Sequence, residues 1–119
     1  MGAITCCIRY QIASGKQAEF EHYACVWRRI IERLGGKYYG CFVPGEQPPD
    51  ATHFSFPEIG RAAPENSATV IFSFKDLAAY ERYRRDASKD AECEAVTKHF
   101  NETKCFTSYE RSFVSILQT

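Results

Sequence analysis

The sequence lacks an excess of charge of either sign: fifteen Lys and Arg balance fifteen Asp and Glu across 119 residues, and no block of five like charges occurs. That absence removes the electrostatic footprint of a nucleic-acid or anionic-membrane binder, so neither partner is expected. No eighteen apolar residues run together, and the opening MGAITCCIRYQI has neither a charged leader nor a long apolar run. Neither a membrane span nor an export signal is therefore expected, which points to the cytoplasm. Gly2 and Thr5 miss the myristoylation spacing by one residue.

Also missing is any C-x-x-C pair. The six cysteines, Cys6, Cys7, Cys25, Cys41, Cys93 and Cys105, are spread without the close pairs on which zinc sites are built. No metal is expected, and the thiols are expected to be reduced small hydrophobes. His22, His53 and His99 are scattered with no cysteine motif around them. No acid–base pair, metal cluster or phosphate loop can be specified, so no catalytic residue is assigned, no cofactor is implied and enzyme status stays open.

What is present is a core. Hydrophobic residues make up 45% of the chain, with nine Phe and seven Tyr, enough for one domain over residues 1–119. Ile4, Cys6, Ile8, Tyr10 and Ile12 alternate with Thr5, Cys7, Arg9 and Gln11, the period-two signature of a strand. From Lys16, Phe20, Tyr23, Trp27, Ile30, Ile31 and Leu34 recur at helical spacing until Gly35-Gly36 stops the pattern. KYYGCFVP and SATVIFSF read as strands, because β-branched and aromatic residues dominate both. Residues 45–66 hold four of the five prolines and read as a long loop. KDLAAYERYRRD puts Leu77, Tyr80 and Tyr83 or Arg84 on one face, and with DAECEAVTKHFNE it reads as one broken helix. CFTSYERSFVSIL, residues 105–117, is the last strand.

Strand, helix, strand, loop, strand, helix, strand is the split βαβ order of a ferredoxin-like α+β domain, a four-stranded antiparallel sheet with its helices on one face. Aromatics are expected on both faces of its strands. The face opposite the helices then needs cover, which a second copy of the chain would supply.

IRYQI…GKQAEFEHYACVW, GGKYYGCFVP, FSFKDLAAYERYRRD and YERSFV, in that order, resemble a bacterial NIPSNAP-family protein over nearly the whole chain. The resemblance implies a dimeric α+β barrel, two ferredoxin-like protomers packed sheet against sheet. It fixes no reaction, although cofactor-free monooxygenases and isomerases share the barrel. A segment EQPPDATHFSFPEIGRAAPE longer than the family usually has departs from the pattern.

Glu110 and Arg111 stand side by side on the last strand, so they point to opposite faces. Either Arg9 or Arg111 pairs with Glu110, or one of the two neighbouring charges points into a cavity. Arg9, Tyr39, His53 and Arg111 are the candidate ligand-binding residues, suited to an anionic or carbonyl-bearing molecule in a largely apolar cavity. Trp27 and Tyr23, on the apolar stripe of the first helix, read as core. The Glu81 and Arg85 spacing reads as a solvated helix face. Three functions stay open: a small-molecule binder, a cofactor-independent monooxygenase or isomerase, and a non-catalytic interaction or adaptor module.

Overall fold

The computed structural model of the protein describes residues 2–47 and 60–118. Its elements run β1 (Ile4–Ile12), α1 (Gln17–Arg33), β2 (Lys37–Phe42), β3 (Ser67–Phe74), α2 (Leu77–Ala87), α3 (Ala91–Thr103) and β4 (Phe106–Val114). The strands form one sheet in the order β2-β3-β1-β4, with every neighbouring pair antiparallel. This is the expected ferredoxin-like α+β arrangement. Among the described residues no helix is long and apolar enough to cross a membrane, and no group of His, Cys, Asp and Glu is placed to hold a metal.

Alternation on the strands decides which side chains meet the helices. Cys6, Ile8 and Ile12 of β1 are buried while Arg9 and Gln11 are exposed. On β3, Ala68, Val70, Phe72 and Phe74 are buried, and the register sets Cys6 opposite Phe72 and Ile8 opposite Val70. These side chains pack with Val26, Ile30 and Ile31 of α1, Tyr83 of α2 and Val96 of α3. Both strands turn one apolar set inward, as period-two patterning requires.

Two expectations need adjustment. Strand aromatics do stand on both faces, but unequally: Tyr10, Tyr38, Phe72, Phe74, Tyr109 and Phe113 take the helix side, by the register that aligns them with buried partners. The other face mixes Thr5, Arg9, Gln11, Thr69, Ser108 and Glu110 with Cys7, Ile71 and Val114, and has Tyr39 and Phe42 at the β2 edge. A bulge between Tyr38 and Gly40, where Gly40 takes φ +150°, sends Cys41 to the core side and Phe42 outward. The second correction concerns the single broken helix: α2 and α3 are separate, each started by its own aspartate cap. Asp76 accepts from Ala79 N at 2.8 Å, and Asp90 accepts from Cys93 N at 3.1 Å.

Asp90 also receives both terminal nitrogens of Arg33 at 2.8 Å, tying α3 to α1. The Arg33 guanidinium holds its carboxyl down at about 2, below the ordinary 3.8. A depressed folded value means that Asp90 stabilises the fold above about pH 4 and loses that contribution as pH falls toward 2. Urea unfolding followed from neutral to acidic pH should therefore fall less steeply for Asp90→Asn than for the wild type in that window. Added salt should narrow the difference, because the pair lies near the surface. Equal slopes would contradict the assignment.

Candidate functional site

Between the helix-facing side of the sheet and the three helices lies a cavity of about 340 Å³. It exists because the facing side chains do not interdigitate fully. Ile8 and Tyr10 of β1 and Val70 and Phe72 of β3 form its floor; Phe20, Tyr23 and Trp27 of α1 and Tyr80 and Tyr83 of α2 form its walls. The rings brace one another. Tyr10 meets Phe20 at 5.2 Å and Phe106 at 4.9 Å, both edge-on, and Tyr83 lies 4.7 Å from Phe74. Such contacts line the wall with ring faces and edges.

Two arginines, both exposed residues, are among those that line this space. Arg111 lies opposite Ile8 on β4, so it shares the helix-facing side, and its guanidinium sits over the Tyr109 ring at 5.7 Å. Arg84 comes from α2 and donates to the Tyr80 hydroxyl at 3.3 Å. Both ease the ionisation of Tyr83 and Cys6, as two charges facing one interior would. Neither forms an ion pair among the described residues, and no carboxylate or histidine is among the lining residues. The cavity is therefore cationic without internal compensation.

Its other polar groups are neutral. Burial pushes the Tyr10 and Tyr83 hydroxyls far above their ordinary value and Tyr38 up to about 12. Burial also raises Tyr23, with Trp27 and Tyr10 pulling back. Cys93 is pushed up to about 11 by burial, with Asp90 adding to it, so the thiol is a poor nucleophile at neutral pH. The wall can donate hydrogen bonds and hold an anion. It offers no group poised to remove a proton.

The structure brings only one of the four sequence candidates to this cavity. Arg111 lines it. Arg9 stands on the other sheet face, directly across from Glu110, because Ile8 and Tyr10 take the inward positions of β1. Tyr39 is on that outer face too, where its hydroxyl accepts from Ser73 at 3.4 Å and Lys37 sits over its ring at 5.0 Å. His53 lies outside the described residues. Trp27, Tyr23 and Arg84 are the lining residues that pattern reading passed over. His22 and His99, neither of them a lining residue, lie with ring centroids 4.6 Å apart and planes tilted by 58°, with His99 Nε2 3.0 Å from the Glu19 carbonyl.

A sequence model of the NIPSNAP family matches residues 6–118. Among curated proteins none matches the chain. The fold is similar to that of a NIPSNAP family protein with unknown function from Agrobacterium tumefaciens, at TM-score 0.65 and 15% identity, covering 94% of this chain and 86% of that one. An uncharacterized NIPSNAP-like domain protein from Burkholderia xenovorans gives TM-score 0.65 and 14% identity, covering 97% and 85%. SnoaB, a cofactor-independent oxygenase from Streptomyces nogalater, gives TM-score 0.62 and 15% identity, covering 100% and 97%. At such identities the likeness is one of fold alone, which does not carry an activity across.

Proposed function

The chain belongs to the NIPSNAP family, and we propose that it is a homodimer that binds a small, flat organic anion in the cavity between its sheet and helices. One observation carries the ligand class: Arg84 and Arg111 line an aromatic cavity of about 340 Å³ whose lining holds no acid. Both arginines are exposed residues, so an anion entering the cavity can reach them at little desolvation cost. A carboxylate meets the guanidinium fork in two parallel hydrogen bonds, and the rings receive its flat body. The open cavity also favours a ligand function over a purely adaptor one.

Trp27 is the single tryptophan of the chain and lines the cavity, so its fluorescence reports occupancy. Titration with 2-naphthoate should quench or shift it saturably, and neutral naphthalene should do so much more weakly. Affinity should stay flat between about pH 6 and 8, since the lining holds no carboxylate or histidine to titrate there. No saturable response to the anion, or equal responses to both compounds, would overturn the ligand class.

The proposed dimer packs through the outer sheet face. Tyr39, Phe42, Val114, Ile116 and Leu117 are each at least half exposed on or beside it, an apolar surface that a second copy would cover. Arg9 opposite Glu110 adds a charge pattern that can complement itself about a two-fold axis. Ile71, at the middle of that face on β3, is only half-buried. Sedimentation should find a wild-type dimer at micromolar concentration and an Ile71→Glu monomer with an unchanged circular dichroism spectrum. A wild-type monomer would defeat the proposal.

A second reading, cofactor-independent oxygenation, draws on the likeness to SnoaB. The two arginines would stabilise an ionised substrate, but no base lines the cavity, so the substrate would have to arrive already ionised. Oxygen uptake with acidic polyphenols tests it.

A further inference from the structure

The cavity is apolar at its floor and charged at its mouth. Ile8, Phe20, Ile31, Val70 and Phe72 of its lining are each at most 5% exposed, whereas Arg84 and Arg111 are exposed residues. The two arginines stand on one side of that mouth. Arg84 of α2 donates from Nη1 to the Tyr80 hydroxyl at 3.3 Å, and the Tyr80 ring meets Phe113 of β4 at 5.7 Å. Phe113 shares its strand face with Arg111, two residues before it.

No acid nearby offsets the pair. Asp86 lies 3.9 Å from Arg85, Glu110 stands on the opposite sheet face across from Arg9, and Glu81 forms no ion pair with either arginine among the described residues. The mouth therefore carries two positive charges. It also carries a third donor, because the Tyr80 hydroxyl accepts from Arg84 and keeps its own proton to give. A carboxylate brings one charge and two oxygens, which leaves one guanidinium uncompensated. A phosphate monoester brings nearly two charges above its second ionisation, near about pH 6, and three oxygens. At a solvent-facing mouth such a group also keeps part of its hydration.

We propose that the anion taken by this cavity is the phosphate monoester of a flat aromatic alcohol, its phosphoryl group held at the mouth by Arg84, Arg111 and the Tyr80 hydroxyl and its rings on the buried floor. This rests on the cavity being a binding site for an organic anion. It adds the charge and shape of the anionic group and the direction in which the ligand enters, and it makes a simple aromatic acid a partial ligand.

The test sets 2-naphthyl phosphate beside 2-naphthyl sulfate, which has the same rings and a tetrahedral head of single charge, and beside 2-naphthoate. Calorimetric titration at about pH 7.5 should show the phosphate binding about tenfold tighter than the sulfate, the effect of one further charge-assisted contact. Lowering the pH to about 5 should weaken the phosphate about fivefold, as its second proton returns. The sulfate should hold its affinity, since the lining has no carboxylate or histidine and a guanidinium does not discharge. In Arg84→Met and in Arg111→Met the phosphate should lose its advantage over the sulfate, because one guanidinium is met by one charge. Tyr80→Phe keeps the ring against Phe113 and should weaken the two tetrahedral ligands more than 2-naphthoate, a selectivity that a disordered wall would not give. If none of the three anions binds, the anion-binding reading fails. If 2-naphthoate binds and the phosphate is no tighter than the sulfate, or its affinity ignores pH, the anion site stands and the doubly charged ligand is wrong.

Discussion

Phe74→Ala is expected to lower the free energy of unfolding by about 3–5 kcal/mol, a large share of the roughly 5–15 kcal/mol available to a domain. The ring is 1% exposed at the end of β3. It contacts Phe72 at 6.1 Å, Tyr80 at 5.8 Å and Tyr83 at 4.7 Å, so its loss opens a void that three other rings cannot close without leaving their rotamers. Gly36 belongs to the same contact, since a Cβ there would come within 2.8 Å of the Phe74 ring. Phe113→Ala is the control. That ring sits on the same sheet face at the β4 edge but is 55% exposed, and its loss should cost less than half as much. Urea unfolding measures both, and comparable losses would show that the core is not centred on β3. Tyr80 and Tyr83 also line the cavity, so Phe74→Ala should weaken anion binding as well, through disorder of the wall.

The order of elements was legible because the patterns are local. The Ile4–Ile12 alternation states a strand and its inward set, and the Phe20 to Leu34 spacing states a helix and its inward stripe. The same β1 alternation already separates Arg9 from Ile8 and Tyr10, so its outward position follows from parity once the sheet has one buried face. Neighbouring strands are not enough to bring two side chains together. Trp27 and Tyr23 were legible as inward-facing, but periodicity does not say whether the opposing side chains fill the space or leave a cavity. Arg84 sits in YERYRR, whose charges suit a solvated face. Only its place one residue after Tyr83, on the stripe begun by Leu77 and Tyr80, separates it from Arg85. The β2 bulge has a weak trace, Gly40 within an aromatic strand, and the outward turn of Phe42 depends on that single extra residue.

Arg111→Met is expected to leave stability nearly unchanged while weakening 2-naphthoate binding by about tenfold or more. The stability half follows from the register. Glu110, the adjacent acid, points to the other sheet face and stands across from Arg9, so removing the guanidinium strands no buried carboxylate. Breaking a buried ion pair would cost about 3–5 kcal/mol, whereas a side chain without such a partner should stay within roughly 0.5 kcal/mol. Methionine keeps an aliphatic stem to lie along Tyr109, so the packing contribution is largely retained. The binding half follows from the charge. Hydrogen bonds to ionised groups contribute about 1.5–3 kcal/mol each, roughly 10- to 150-fold in affinity. Arg84→Met should weaken binding in the same direction, and the double variant should bind the anion no better than neutral naphthalene. A loss of several kcal/mol for Arg111→Met in urea would make the arginine a structural residue, and unchanged affinity in the double variant would remove the anion from the cavity altogether.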